Sequence, residues 1–329
     1  MSSSAGDAPA PSDPAPAAST SPYVPPEQWE PRELPDAWGR ETLQAMAMKP
    51  WTQEALPKGQ HGLQLYSLGT PNGIKVTIFL EELVEILDDF EYDAWWIDIM
   101  KGQQYSRGFL EVNPNAHIPC LLDTKPGGDT TGSEEGASNM IDDIRIFESN
   151  AILLYLADKF EKFVPSKNEP SQLHDRTECL NWLFWQSGAF GPACGNFNSA
   201  FVYSKPGEKN RDEIDRTTLE VKRLLSVLEN QLNRDRSSDE PQLPCSWLAS
   251  AAETGPSIAD FCVFPWLRTL RRRDMVKKWL RLEEDYPALI RWFDLLLARP
   301  AVQRGIRVNN VMEPNGVKNR HARTDFDAL

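Results

Sequence analysis

Thr70 and Asn72, with the glycines on either side of them, are the residues of this chain whose types and spacing best suit chemistry. The run Gly69-Thr70-Pro71-Asn72-Gly73 follows the strand-like Leu63-Gln64-Leu65-Tyr66 and precedes apolar residues at helical spacing, Val76, Phe79, Leu80 and Leu83. A strand that feeds a helix through such a turn leaves backbone N–H groups free where the helix dipole is positive. That spot stabilises an anion. No cysteine lies between Leu63 and Ile118, so a thiolate on a bound ligand is a sharper expectation than one of the protein's own. The plain alternative for Asn72 is a helix N-cap.

Other candidates lie further along. Ile118-Pro119 opens a strand-like stretch, a place where proline is tolerated. Glu148-Ser149 stands before a helix and reads either as a cap or as a polar pair at a positive helix end. Between residues 188 and 205, Gly191, Pro192 and Gly195 interrupt a helical pattern near Cys194, Asn196, Asn198, Phe201 and Tyr203. Cys194 is either a reactive thiol or a buried inert one. Ser257-Ile258-Ala259-Asp260 is a capping box opening an apolar helix. Trp182, Trp185, Trp266 and Trp292 read as core.

The chain has 329 residues, a net charge of −13, 40% apolar and 25% charged residues. This describes an ordinary soluble chain and argues against nucleic acid or an anionic membrane surface as partner. No membrane span or signal peptide is expected. The five cysteines, Cys120, Cys179, Cys194, Cys245 and Cys262, are scattered, with no metal-ligand spacing, so neither zinc nor a disulfide framework is expected. Reduced thiols in the cytoplasm are the default.

These candidates need elements to hold them. Residues 1–60 are rich in Ala, Pro and Ser and read as an arm, disordered at first. Trp29, Trp38 and Trp51 imply that its second half lies on a folded surface. Strands are predicted over 63–66, 92–99, 118–122 and 144–147, and helices over 75–87, 105–112 and 148–160. Together these make a β-α-β-α-β-β-α mixed-sheet domain. Residues 124–143 are Gly-, Ser- and Asp-rich and read as an inserted loop. After Pro165 the pattern is all helical, with strong candidates at 173–189, 211–233, 258–270 and 287–298. A polar, frayed tail is expected from about Val311.

In this order, the motifs resemble those of a cytosolic glutathione transferase, most nearly the bacterial nu-class disulfide-bond reductases and more distantly the yeast prion nitrogen regulator. The resemblance rests on residues 66–73, Asn113-Pro114-Asn115 leading to Ile118-Pro119, Phe147-Glu148-Ser149, residues 181–185, Arg299-Pro300-Ala301-Val302, and the box Ser257/Asp260. It spans roughly residues 60–308. It implies a thioredoxin-like glutathione-binding domain at 61–165, an all-helical domain at 166–308, a tail at 309–329 and a homodimer.

The resemblance also implies roles. Thr70 and Asn72 hydrogen-bond the glutathione sulfur, with Tyr66 and Ser67 as rival donors. A cis Ile118-Pro119 bond leaves the Ile118 backbone free for an extended peptide. Glu148 pairs with the γ-glutamyl ammonium, and Ser149 takes its carboxylate. Gln104 falls at a glutathione-contacting position, and His117 stands where relatives often have Lys or Gln; both read equally as solvated loop residues. Asn196, Asn198, Phe201, Tyr203 and Cys194 are candidates for the second-substrate pocket. The implied activity is disulfide or peroxide reduction by bound glutathione, one or two molecules per subunit, with no protein cysteine and no metal. Conjugation of an electrophile, a non-catalytic regulator and a translation-factor module are the other readings. The last lacks its usual basic or additional domain.

Overall fold

The computed structural model describes residues 27–28, 50–126, 143–205, 207, 209–234, 247–249 and 255–327. The chain falls into two units, Met1–Ala47 and Met48–Leu329; of the first, only Glu27 and Gln28 are among the described residues. Trp29, Trp38, Cys245 and most of the 124–143 insertion lie outside them.

Four strands form one sheet: β1 (Leu63–Ser67), β2 (Asp93–Trp96), β3 (Cys120–Asp123) and β4 (Ile144–Phe147), in the order β2-β1-β3-β4. β1 and β2 are parallel; β3 runs antiparallel to β1 and β4. Helix α1 (Pro71–Ile86) makes the crossover, α2 (Arg107–Val112) follows β2, and α3 (Ser149–Phe160) follows β4. Side chains alternate across the sheet. Leu65, Ala94, Leu121 and Ile146 lie in register and join the main core, which includes α1 and α3. Tyr66, Cys120 and Leu122 join a second cluster with Phe109 and Val112 of α2. The predicted order of elements is thus found, in the fold of a thioredoxin-like domain.

The helical part runs through α4 (Leu173–Trp185), α5 (Gly191–Phe197), α6 (Arg211–Leu232), α7 (Ile258–Arg271), α8 (Asp274–Leu280), α9 (Leu282–Asp285), α10 (Pro287–Leu297) and α11 (Pro300–Arg307). The expected interruption between 188 and 205 is corrected. The backbone stays helical and widens into π-helical turns at Gln186–Phe190 and Asn198–Tyr203. Gly191 N–H reaches back five residues to the Gln186 carbonyl, so Pro192, which has no N–H, enters at the start of α5 without breaking the rod. The capping box is present: Asp260 accepts from the Ser257 N–H at 2.8 Å and from its hydroxyl at 3.0 Å.

Residues 50–60, the end of the arm, lie within the folded unit. Trp51 stacks on Tyr105 at 4.5 Å, and Thr52 and Glu54 carbonyls accept from Arg107 and Gly108. The frayed tail is also corrected. Arg320 pairs with Ala94 on the open edge of β2, at 2.7 and 2.9 Å, which covers a sheet edge otherwise left unpaired. Arg320 is fully buried and reaches Glu81 at 3.1 Å and the Tyr92 carbonyl at 2.9 Å. From α11, Arg299 grips the buried Glu82 with two bonds of 2.6 Å, and Arg304 reaches Glu81 at 2.9 Å. α11 packs this closely because residue 305 is glycine; a Cβ there would lie 2.5 Å from the Ile78 Cα. Arg320→Ala is expected to lower stability by about 2–3 kcal/mol, less than a fully orphaned pair because Arg304 still serves Glu81. The denaturant midpoint measures it.

Candidate functional site

The first turn of α1 uses up most of its own donors. Pro71 has no N–H, the Gly73 N–H goes to the Thr70 hydroxyl at 3.4 Å, and the Ile74 N–H goes to the Thr70 carbonyl at 2.9 Å. The Asn72 N–H makes no hydrogen bond among the described residues. The cap is therefore Thr70, and Asn72 is free for other work. Its side-chain oxygen accepts from the Trp266 indole N–H at 3.1 Å. An indole N–H only donates, so the bond fixes which way the amide lies. It leaves the Asn72 amide N–H₂ as a second donor without a partner among the described residues.

The predicted Thr70/Asn72 pair is thus divided. Thr70 caps the helix and is not among the residues lining the cleft, whereas Asn72 lines it. The rivals are committed elsewhere. Tyr66 is fully buried and donates to the Pro57 carbonyl at 2.8 Å, and burial pushes its phenol well up. Ser67 is buried in β1.

Asn72, Asn113, His117, Ile118, Pro119, Glu148 and Ser149 line a recess of about 240 Å³. The Ile118–Pro119 bond is cis, and neither backbone polar group of Ile118 is bonded among the described residues. Asn113, a motif residue with no role expected of it, donates to the His117 carbonyl at 2.5 Å and braces the loop. His117 is exposed, with Nδ1 held 3.0 Å from the Asn115 amide. Glu148 sits at φ 71°, the left-handed region, immediately before α3. A glutamate there is held by its surroundings, a pattern found at ligand sites. Its carboxylate has no partner among the described residues. Gln104 is buried outside this lining and donates to the Ile99 carbonyl at 3.3 Å.

A second recess of about 320 Å³ shares Asn72, Glu148 and Ser149, so the two are continuous. It adds Lys75, Gln186, Ser187, Gly191, Pro192, Gly195, Asn196 and Trp266. A Cβ at Gly191 would meet the Gln186 amide at 2.8 Å, so the glycine keeps that side chain in place. Of the second-pocket candidates, only Asn196 lines this recess. Asn198 is buried and donates to the Cys194 carbonyl at 2.9 Å. Phe201 packs between Phe197 and Trp279, and Tyr203 lies against Arg273 at the surface. Cys194 is fully buried in the core and its thiol is pushed far up by burial. Burial likewise raises Cys120 and Cys262, and Cys179 to about 11.

Two contributors escaped the sequence reading. Trp266, expected in the core, packs against it half-buried and also orients Asn72. Lys75, two per cent exposed, donates to Ser149 Oγ at 3.1 Å, Asn150 Oδ1 at 3.0 Å and Gln186 Oε1 at 2.6 Å. Burial brings its ammonium down to about 8, with Cys262 and Glu148 pulling the other way. No three His, Cys, Asp or Glu among the described residues are grouped to hold a metal ion. A larger hollow of about 430 Å³ between His61, Asp89 and Lys125 lies away from this turn, and Lys159 there is paired with Asp123.

The site thus offers aligned donors at a helix start, free backbone at a cis-proline, and a carboxylate beside a hydroxyl. Residues 211–295 match the glutathione S-transferase C-terminal domain. The disulfide-bond oxidoreductase YghU of Escherichia coli (strain K12) is 39% identical, covering 84% of this chain and 86% of its own length. The chain belongs to the glutathione transferase superfamily, in its nu-class-like branch. Within this superfamily, YghU from Streptococcus pneumoniae, solved in complex with glutathione, superposes with a TM-score of 0.64 at 36% identity, covering 86% of this chain and 97% of that one. A glutathione transferase from Burkholderia graminis, solved with two glutathione molecules per subunit, gives a TM-score of 0.58 at 31% identity, covering 74% and 87%.

Proposed function

We propose that this transferase is a glutathione-dependent disulfide reductase that works through bound glutathione and no cysteine of its own. The observation that carries this reading is Asn72: two free donors at the start of α1, with every described cysteine buried. Hydrogen bonds and a positive dipole lower a thiol pKa from about 8.5. The glutathione thiolate attacks one disulfide sulfur, giving a mixed disulfide and a released thiolate. A second glutathione thiolate attacks the glutathione sulfur of that intermediate, giving glutathione disulfide and the second released thiolate. The two protons lost by glutathione end on the two product thiols. With a peroxide as first acceptor, the thiolate attacks one peroxide oxygen and gives a glutathione sulfenic acid and an alcohol, and the second glutathione converts the sulfenic acid to glutathione disulfide and water.

The first glutathione lies along the smaller recess, its cysteinyl backbone against Ile118 and its γ-glutamyl end at Glu148 and Ser149. The adjoining recess takes the acceptor or the second glutathione. Its lining of Gln186, Ser187 and Asn196 suits a polar, peptide-like ligand better than the apolar electrophile that conjugation requires. Leu173 and Phe184, each 61% exposed on α4, are in keeping with a homodimer. Buried free thiols fit a reducing, cytoplasmic setting.

Titration calorimetry with glutathione tests the reading. Glu148→Ala is expected to weaken binding by about 1–2 kcal/mol, roughly 5- to 30-fold, the range for a charged hydrogen bond discounted for an exposed carboxylate. Unchanged affinity removes Glu148 from the site, and no binding by the unaltered protein sinks the proposal.

A further inference from the structure

We propose that Lys75 is a positioning residue and the counter-charge of the ligand's γ-glutamyl α-carboxylate, acting through Ser149. The inference rests on the glutathione reading above.

The geometry is that of a buried cation without a counterion. All three N–H groups of Lys75 are spent on neutral acceptors, Ser149, Asn150 and Gln186. No carboxylate forms an ion pair with it among the described residues. Its neighbours on the same helix, Glu81 and Glu82, are taken by Arg304, Arg320 and Arg299. The titratable groups that influence it are Glu148, at the start of α3, and the buried thiol of Cys262 on α7. Buried charges are ordinarily paired, because an unpaired one forfeits its hydration without return. Here the missing negative charge is supplied when the γ-glutamyl carboxylate settles on Ser149, which lines both recesses and accepts from Lys75 behind it.

The hydrogen bonds give the lysine a directional role as well. Ser149 Oγ accepts from Lys75, and its own hydroxyl hydrogen has no acceptor among the described residues. That hydrogen is left to donate to a carboxylate in the cleft. The same lysine fixes the oxygen of Gln186, whose other donor is Asn150 at 3.1 Å. One ammonium thus sets two cleft residues from behind, one from each part of the fold.

Linkage gives the sign. An anion beside Lys75 favours its charged form, so binding raises its pKa from about 8. Below that pH both states are protonated and affinity is flat. Above it binding takes up a proton and affinity falls with rising pH until the bound pKa is reached. Each unit of pKa rise makes the charged form bind about tenfold more tightly than the neutral one.

The experiment uses S-methylglutathione, which has no thiol to titrate, in calorimetry from pH 6.5 to 9.5 in two buffers of different ionisation enthalpy. The ligand amine titrates in the upper part of this range in every variant, so the comparison isolates the lysine. Lys75→Met is expected to bind roughly tenfold more weakly at pH 7 and to take up less proton at pH 8.5. A lysine that only ties elements together would shift the unfolding midpoint and leave affinity and proton uptake as in the unaltered protein, which overturns the inference. Should Lys75→Met fail to fold, NMR of lysine ¹³Cε on the unaltered protein decides. One lysine titrating near pH 8 must move upward by a unit or more with ligand; if none does, the inference fails. Absence of S-methylglutathione binding to the unaltered protein sinks the glutathione reading itself and this inference with it.

Discussion

Asp260→Ala is expected to destabilise the fold by about 3–5 kcal/mol, the range for stripping the acceptor from several buried donors at once. Asp260 is fully buried on α7 and accepts four hydrogen bonds. Two come from Ser257, at 2.8 and 3.0 Å; the others come from the Leu248 N–H at 2.9 Å and the Trp292 indole at 2.8 Å. Only the Ser257 hydroxyl can turn to find another acceptor. Burial drives the Asp260 carboxyl up, while the four donors oppose that drift. Asp260→Asn keeps the volume and still turns an N–H₂ group towards donors, so it should cost a comparable amount. Guanidinium unfolding followed by circular dichroism measures both. A loss below 1 kcal/mol in either would show that the box is a local cap and not the anchor of the helical domain.

Asn72→Ala is expected to lower glutathione-dependent turnover of a small disulfide by roughly 10- to 100-fold near pH 7, from the loss of a hydrogen bond to a charged group worth about 1.5–3 kcal/mol. The variant keeps its helix, because Thr70 is the cap. The bound thiol pKa should rise by roughly one to two units. The acid limb of the pH–rate profile therefore moves to higher pH, and the deficit shrinks as pH rises. A more basic thiolate is also a better nucleophile, so above the new pKa, where both sites hold thiolate, the variant should match or exceed the unaltered protein. Thr70→Ala should act differently, costing about 1 kcal/mol of stability as a lost cap. Cys194→Ala should leave turnover unchanged, since that thiol is enclosed in the core. Turnover lost in Cys194→Ala but not in Asn72→Ala would make Cys194 the nucleophile and reverse the assignment.

The sequence by itself determined the features that depend on neighbours in the chain. The order of strands and helices follows from apolar periodicity. The anion-binding turn, the Ser257/Asp260 box and the Glu148-Ser149 pair at the start of α3 follow from residue types within four positions of one another. Local capping and dipole effects act over that same distance. Only the tertiary structure decided which of the turn's residues is free. Thr70 takes the cap, and Asn72 is oriented by Trp266, 194 positions away. Lys75 meets Ser149 and Gln186 at separations of 74 and 111, and Arg320 closes on Glu81 at 239. In the sequence a lysine or tryptophan at helical spacing reads as surface or core, because its chemistry depends on what the fold brings opposite it. The tail read as frayed for the same reason: Arg320 becomes buried only against an open β2 edge and carboxylates contributed by α1.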